Sequence, residues 1–202
     1  MNKRKYFTWY IIISIIYICS ILINLGLPTW FQYCYWNFGL ISANSFTDIK
    51  DFSEENLIVA TQGDACGSLK DLISNYCSDV CNNIDNFRIG GILLICFSLA
   101  SCISTSLCIF FFFRVLNDET LYLKSLSLFM FFPFIFLVAG FSTYVGLCDF
   151  ININSRGSFE NISRKFSLKE GFYMAIWNFG LCFGILIYGS CKCRKLLKVK
   201  NS

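Results

Sequence analysis

The sequence contains no histidine and carries little charge. None of its 202 residues is histidine, and only 15% are charged. A soluble domain of ordinary composition carries about 25% charged residues. Without histidine, an enzymatic hypothesis lacks the commonest general base and the commonest transition-metal ligand. Glycine-rich phosphate loops and serine-nucleophile motifs are missing as well. We therefore expect no enzyme, no catalytic residue, no cofactor and no metal site.

Charged side chains are scarcest in four long apolar stretches, residues 6–27, 89–113, 126–148 and 171–191. Each has about 20 residues or more, which lets a helix cross roughly 30 Å of hydrocarbon. No charge lies near the centre of any stretch, so we expect no proton relay or charged transport path. The first stretch is too long for a secretory signal peptide, and we interpret it as a retained helix. The pattern predicts a single membrane domain over residues 1–202, with lipid as its surroundings.

Basic residues cluster beside the ends of these stretches. They are Lys3, Arg4 and Lys5 before the first, Arg114 and Lys124 around the second link, and Lys192, Arg194, Lys195, Lys198 and Lys200 after the fourth. Because basic flanks favour the cytoplasmic side, both chain ends are predicted to be cytoplasmic. Loops 28–88 and 149–170 are then outside, although the shorter loop also carries four basic residues. Asn161-Ile-Ser163 offers a glycosylation acceptor there. The net charge of +4 is therefore explained by basic residues beside the spans, and it does not indicate a nucleic-acid partner.

The longer outer loop is acidic, with eight Asp and Glu residues against three Lys and Arg. This pattern is typical of a solvated surface, or of a field that attracts cations. Two β-prone runs, residues 38–42 and 57–61, predict a small sheet. A tight turn over residues 63–67 and a short helix from Ser68 are predicted to follow. The fold class is therefore a membrane all-α bundle of four helices with a small extracellular β-sheet.

The twelve cysteines fall into groups. Those in the long outer loop are Cys34, Cys66, Cys77 and Cys81, which allow three complete disulfide pairings. Cysteines within the spans are expected to pack as small apolar residues. Cys191 and Cys193 lie beside basic residues and are candidates for S-palmitoylation, although unmodified thiols are equally compatible. Cys77-Ser-Asp-Val-Cys81 has one residue too many for a two-residue redox gap, so a membrane thiol oxidoreductase is a minor alternative.

Within the spans, Pro133 is predicted to kink the third helix. Small residues such as Gly90, Gly91 and Gly180 are predicted to allow close helix contact.

Several short motifs together resemble the claudin superfamily. They are Trp30 shortly after the first span, Gly39-Leu40, Cys66 and Cys77 with ten residues between them, Arg88 before the second span, and Ser167, Gly171, Tyr173 and Trp177 at the entrance of the fourth. This superfamily also contains peripheral myelin proteins, epithelial membrane proteins and calcium-channel gamma subunits. The chain differs from it at Ile41, where tryptophan is usual, and in a tail that lacks the hydrophobic terminal residue read by PDZ domains. Tetraspanins fit less well, because their large loop lies between the last two helices.

The resemblance implies a multi-pass plasma-membrane protein that works in cell–cell contact, a paracellular barrier or an ion-selective junction. It implies an outer sheet formed mainly by the first loop, a Cys66–Cys77 bridge, and self-association or binding to another membrane protein. Asp64 and Asp71, on either side of Cys66, become candidates for cation attraction. The alternative is an auxiliary or trafficking subunit of a channel or receptor, as in the gamma-subunit branch.

Overall fold

The computed structural model describes residues 3–33, 36–40, 42–45, 55–56, 78–116, 122–148 and 167–201. Helices in these ranges are α1 (Lys3–Leu25), α2 (Ser78–Leu116), α3 (Tyr122–Phe129), α4 (Phe132–Leu147) and α5 (Glu170–Asn201). Strands are β1 (Phe31–Tyr33), β2 (Trp36–Phe38), β3 (Ser42–Ser45), β4 (Glu55–Asn56) and β5 (Ser167–Leu168). The described part of the chain is therefore mostly helical.

Within the described ranges, four helical segments are long and apolar enough to cross a membrane. They are Tyr6–Leu25, Asn86–Val115, Ser125–Leu147 and Glu170–Cys191. Large apolar side chains on these segments are exposed, with Ile103 and Leu128 each 63% accessible. Water solvates such a surface poorly, whereas hydrocarbon does so without cost. The four predicted spans are confirmed, and the chain fits a multi-pass membrane protein.

The third span consists of two helices. A turn at Met130 and Phe131 separates α3 from α4, and Pro133 lies in the first turn of α4. A proline at that position needs no N–H partner, because the first N–H groups of a helix have none within it. Pro133 could not lie inside a helix that continued from α3, because its ring would clash with the carbonyl of Phe129. The kink predicted at Pro133 is thus present as an interruption.

The strands pair in antiparallel fashion in the order β4-β3-β2-β1-β5. Phe31 lies opposite Phe38 in β2 and opposite Leu168 in β5. One sequence prediction is wrong here: residues 38–42 are not one strand, because β2 ends at Phe38 and β3 begins at Ser42. Gly39 breaks the run, and Leu40 is buried with only 2% of its surface exposed. The other β-prone run, the turn over residues 63–67 and the helix from Ser68 lie outside the described residues.

The chain divides into two compact units. Unit 1 comprises Met1–Ile23, Cys96–Ala139 and Ala175–Ser202, and unit 2 comprises Asn24–Ile95 and Gly140–Met174. The buried residues of unit 1 include Tyr10, Tyr17, Phe112 and Leu126. Those of unit 2 include Trp30, Leu40, Tyr144 and Cys148. Both interiors therefore combine aromatic and aliphatic side chains.

Candidate functional site

Among the residues of unit 2 whose burial the structure describes, Trp30 is the largest fully buried side chain, with 1% of its surface exposed. Its ring meets the ring of Tyr144 edge-on, with the centroids 5.6 Å apart and an interplanar angle of 75°. This geometry is favourable because the positive edge of one ring faces the negative face of the other. Gly171 lies against the same indole, and a Cβ there would come within 2.5 Å of Cδ1 of Trp30. The missing side chain of Gly171 therefore makes the space for Trp30.

The backbone around Trp30 is bonded to the start of α5. The Trp30 carbonyl accepts a hydrogen bond from the N–H of Lys169 at 3.0 Å, and the Thr29 carbonyl accepts one from the N–H of Gly171 at 3.0 Å. Helix N-termini carry N–H groups with no partner inside the helix, and the Thr29 carbonyl satisfies one of them. The Thr29 hydroxyl also donates to a carboxylate oxygen of Glu170 at 2.8 Å.

Strand pairing extends this connection, because Phe31 pairs with Leu168 and Gln32 pairs with Ser167. Residues 29–32 belong to the first loop, and residues 167–171 join the second loop to α5. The two loops that we predict to be outside are thus joined within unit 2. We call this arrangement the Trp30 anchor: Thr29, Trp30, Tyr144, Lys169, Glu170 and Gly171.

Leu40 provides another close approach in unit 2. Its carbonyl oxygen lies so near Gly91 of α2 that a Cβ at Gly91 would overlap it. The neighbouring Gly90 lies beside Tyr144, where a Cβ would come within 3.3 Å of the ring. The close helix contact predicted at Gly90 is confirmed, whereas the close contact at Gly91 is with the first loop and not with a helix. Gly39 is buried next to Leu40, so this part of the first loop packs on α2 with its backbone.

Three other motif residues are not members of the anchor. Arg88 is half-buried on α2. Tyr173 and Trp177 are 60% and 58% exposed on α5. Exposed Tyr and Trp are enriched where membrane meets water, because their rings have an apolar body and a polar tip. The prediction for Gly180 is wrong, since a Cβ there would have no neighbour within 4 Å.

Several candidate residues cannot be assigned a geometry. Cys34, Cys66, Cys77, Asp64, Asp71 and Asn161 lie outside the described residues. Cys81 is on α2 and Cys193 is on α5, but only their backbone is described. Cys191 is exposed at the end of the fourth span. The disulfide, ion-selectivity, glycosylation and palmitoylation hypotheses therefore remain predictions.

A buried polar cluster lies in unit 1, and the sequence interpretation missed it. The Tyr17 hydroxyl is 2.6 Å from the Ser101 hydroxyl, which donates to the carbonyl of Pro133 at 2.8 Å. These bonds connect α1, α2 and α4. The Ser20 hydroxyl donates to Oδ1 of Asn178 at 2.6 Å and connects α1 to α5. Hydrogen bonds between membrane helices contribute about 0.6 kcal/mol each on average. The cluster contains no charged group, so its chemistry favours helix association.

The sequence of α1 contains a pattern that indicates its buried polar face once the structure is known. Tyr10, Ser14, Tyr17 and Asn24 recur at intervals of three, four or seven residues and are all buried. That spacing places them on one face of a helix. An apolar span with polar residues on one face indicates the side that packs on other helices. The partners of Tyr17 and Ser20, which are Ser101 in α2 and Asn178 in α5, are not predictable from this spacing.

No protein-family model matches this chain, and no curated protein matches it either. The resemblance to claudins therefore depends on the motif residues described above. Among the described residues, no group of three or more Cys, Asp or Glu side chains could hold a metal ion.

Proposed function

We propose that this chain is a claudin-like protein of the plasma membrane that acts in cell–cell contact and in barrier or ion-selective junction formation. In this proposal both chain ends are cytoplasmic. The first outer loop forms most of a small extracellular β-sheet. At that sheet the chain contacts proteins in the same membrane or in the facing membrane, including further copies of itself.

The Trp30 anchor is the observation that carries the proposal. Adhesion between cells needs an outer surface that keeps its shape, because ordering flexible loops on contact costs conformational entropy. The N–H groups of Lys169 and Gly171 donate to the carbonyls of Trp30 and Thr29, and these bonds join the two loops beside the paired strands. The same loops carry the motif residues of the claudin resemblance. A preorganised two-loop surface is what such a role requires.

The distribution of charge supports the proposed orientation. Unit 1 contains ten Lys and Arg residues against two Asp and Glu residues. Unit 2 contains seven Lys and Arg residues against eleven Asp and Glu residues. Basic segments favour the cytoplasmic side. The two loops of unit 2, residues 28–88 and 149–170, are then the extracellular segments of this proposal.

A cell-mixing experiment tests the proposal. Non-adherent cells that express the chain are mixed in two populations, each labelled with a different fluorophore. Imaging then measures how strongly the protein concentrates where two cells touch. We expect enrichment where two expressing cells meet and none where an expressing cell meets a control cell. Trp30→Ala should abolish enrichment. Trp177→Ala removes an equally large but exposed side chain and should preserve it.

Surface biotinylation keeps this result interpretable, because Trp30→Ala can reduce delivery to the membrane. Trp30→Phe, which retains the aromatic ring, provides a milder variant. Absence of enrichment for the wild-type chain at the surface would contradict the proposal. If a larger membrane protein instead co-purifies in fixed stoichiometry, the auxiliary-subunit alternative replaces it.

A further inference from the structure

Three basic segments, far apart in the sequence, converge at one end of unit 1. Lys3, Arg4 and Lys5 open α1, Arg114 is near the end of α2, and Lys192, Arg194 and Lys195 follow the fourth span in α5. We call these seven residues the basic collar. The positive-inside pattern requires basic flanks on one side of a membrane, but it does not require them to meet in space.

Ring contacts show that α1 and α2 bring their basic residues to the same level. Phe7 stacks on Phe112 with the ring centroids 5.7 Å apart. Lys5 precedes Phe7 by two positions, and Arg114 follows Phe112 by two positions. A helical turn rises about 5.4 Å. Both residues therefore occupy helix positions within one turn of a contact between α1 and α2.

α5 reaches this level as well. A Cβ at Gly189 would come within 3.3 Å of Cε2 of Tyr10. The Tyr10 ring in turn stacks on Phe112, with the centroids 5.0 Å apart. Lys192 follows Gly189 by three positions, which is less than one helical turn. All three basic segments thus adjoin one set of mutually contacting residues.

The helix α5 continues past the membrane span. The span ends at Cys191, and α5 ends at Asn201. At about 1.5 Å per residue this extension is about 15 Å long, about twice the roughly 5–8 Å thickness of one headgroup layer. No acidic residue follows Glu170 in the chain. The cations on this extension therefore have no acidic neighbour along their own helix.

We infer that the basic collar is a binding site for the phosphate groups of anionic phospholipid headgroups. Lys and Arg clusters next to a membrane span bind such headgroups through charge-assisted hydrogen bonds to phosphate oxygens. Arg114 is exposed, and its guanidinium lies 5.4 Å from the centroid of the Phe110 ring on the same helix. This inference does not depend on the proposed role in cell contact.

The test uses the full chain in detergent micelles, titrated with dioctanoyl phosphatidylinositol 4,5-bisphosphate. Native mass spectrometry counts the lipids bound to each protein. We expect saturable binding that dioctanoyl phosphatidylcholine does not reproduce. The triple variant K192Q/R194Q/K195Q should weaken the apparent affinity about tenfold or more. The matched variant R156Q/R164Q/K165Q removes the same charge from unit 2 and should leave the affinity within about twofold.

Three results would overturn the inference: no saturable binding, equal binding of phosphatidylcholine, or an equal loss in both triple variants. If K192Q/R194Q/K195Q fails to fold, judged by its thermal unfolding, the variant K3Q/R4Q/K5Q decides in its place. That variant changes the opposite end of the chain and should show a similar loss. Unchanged affinity in K3Q/R4Q/K5Q would also overturn the inference. Binding should weaken as ionic strength rises, because salt screens exposed charges.

Discussion

Gly171 determines, at the scale of single residues, whether Trp30 can occupy its site. Gly171→Ala would place a methyl group 2.5 Å from Cδ1 of Trp30. The indole would then have to shift from its buried position, and overpacking of this kind costs about 1–3 kcal/mol. We expect a lower midpoint of thermal unfolding in detergent micelles. The control is Gly180→Ala in the same helix, where a Cβ has no neighbour within 4 Å. Equal midpoints for the two variants would contradict this account of the anchor.

Tyr17 allows a test of the polar cluster. Tyr17→Phe removes the hydroxyl that lies 2.6 Å from Ser101 and leaves the ring in place. We expect a loss of about 0.6 kcal/mol, and at most about 1.7 kcal/mol, in the free energy of unfolding. A double-mutant cycle with Ser101→Ala isolates the coupling between the two residues. Tyr173→Phe, at an exposed position, is the control and should be neutral. A coupling energy of zero would mean that the bond contributes nothing.

Sequence reasoning found single residues of these sites but not their partners. Trp30 and Gly171 each belong to one of the short motifs that resemble the claudin superfamily. The bond from Thr29 to Glu170 joins positions 141 residues apart, and the bond from Ser20 to Asn178 joins positions 158 residues apart. Hydroxyl and amide side chains have many possible partners. Only the tertiary fold selects among them, so these pairs could not be predicted.

At the scale of elements, spans were predictable and strands were not. A run of about 20 apolar residues gives a strong signal, because each residue adds to the transfer free energy. The strands have two to four residues each. At that length, pairing with neighbours decides strand formation more than intrinsic propensity does. For this reason residues 38–42 have the composition of one strand, but in the structure Gly39 and Leu40 lie in the connection between β2 and β3.

Packing of the first loop on α2 gives a prediction at this scale. Gly91→Ala would overlap the carbonyl oxygen of Leu40, which is a backbone atom and cannot swing aside as a side chain can. We expect destabilisation of about 1–3 kcal/mol by overpacking, measured by thermal unfolding. Gly146→Ala on α4 has no neighbour within 4 Å and is the control. A neutral Gly91→Ala would show that Leu40 does not pack on α2 in this way.

At the scale of the whole molecule, the charge difference between the two units agrees with the proposed orientation. Asn161 tests that orientation, because glycosylation occurs only on the lumenal or extracellular side of a membrane. We expect the protein from eukaryotic cells to carry a glycan, seen as a mobility shift that glycosidase removes. Asn161→Gln should abolish the shift, whereas Asn152→Gln, in the same loop but outside an acceptor tripeptide, should retain it. A wild-type chain with no glycan would not support an extracellular second loop.

The claudin-like fold is the central claim, and its most specific chemical consequence is a bridge in the first outer loop. Non-reducing peptide mapping of protein purified from membranes measures this directly. The account predicts one stable disulfide between Cys66 and Cys77, which would fix the base of the extracellular sheet and contribute about 2–4 kcal/mol to its stability. A Cys77–Cys81 bridge, or free thiols throughout the loop, would contradict the account and favour an unrelated four-span protein or a redox role.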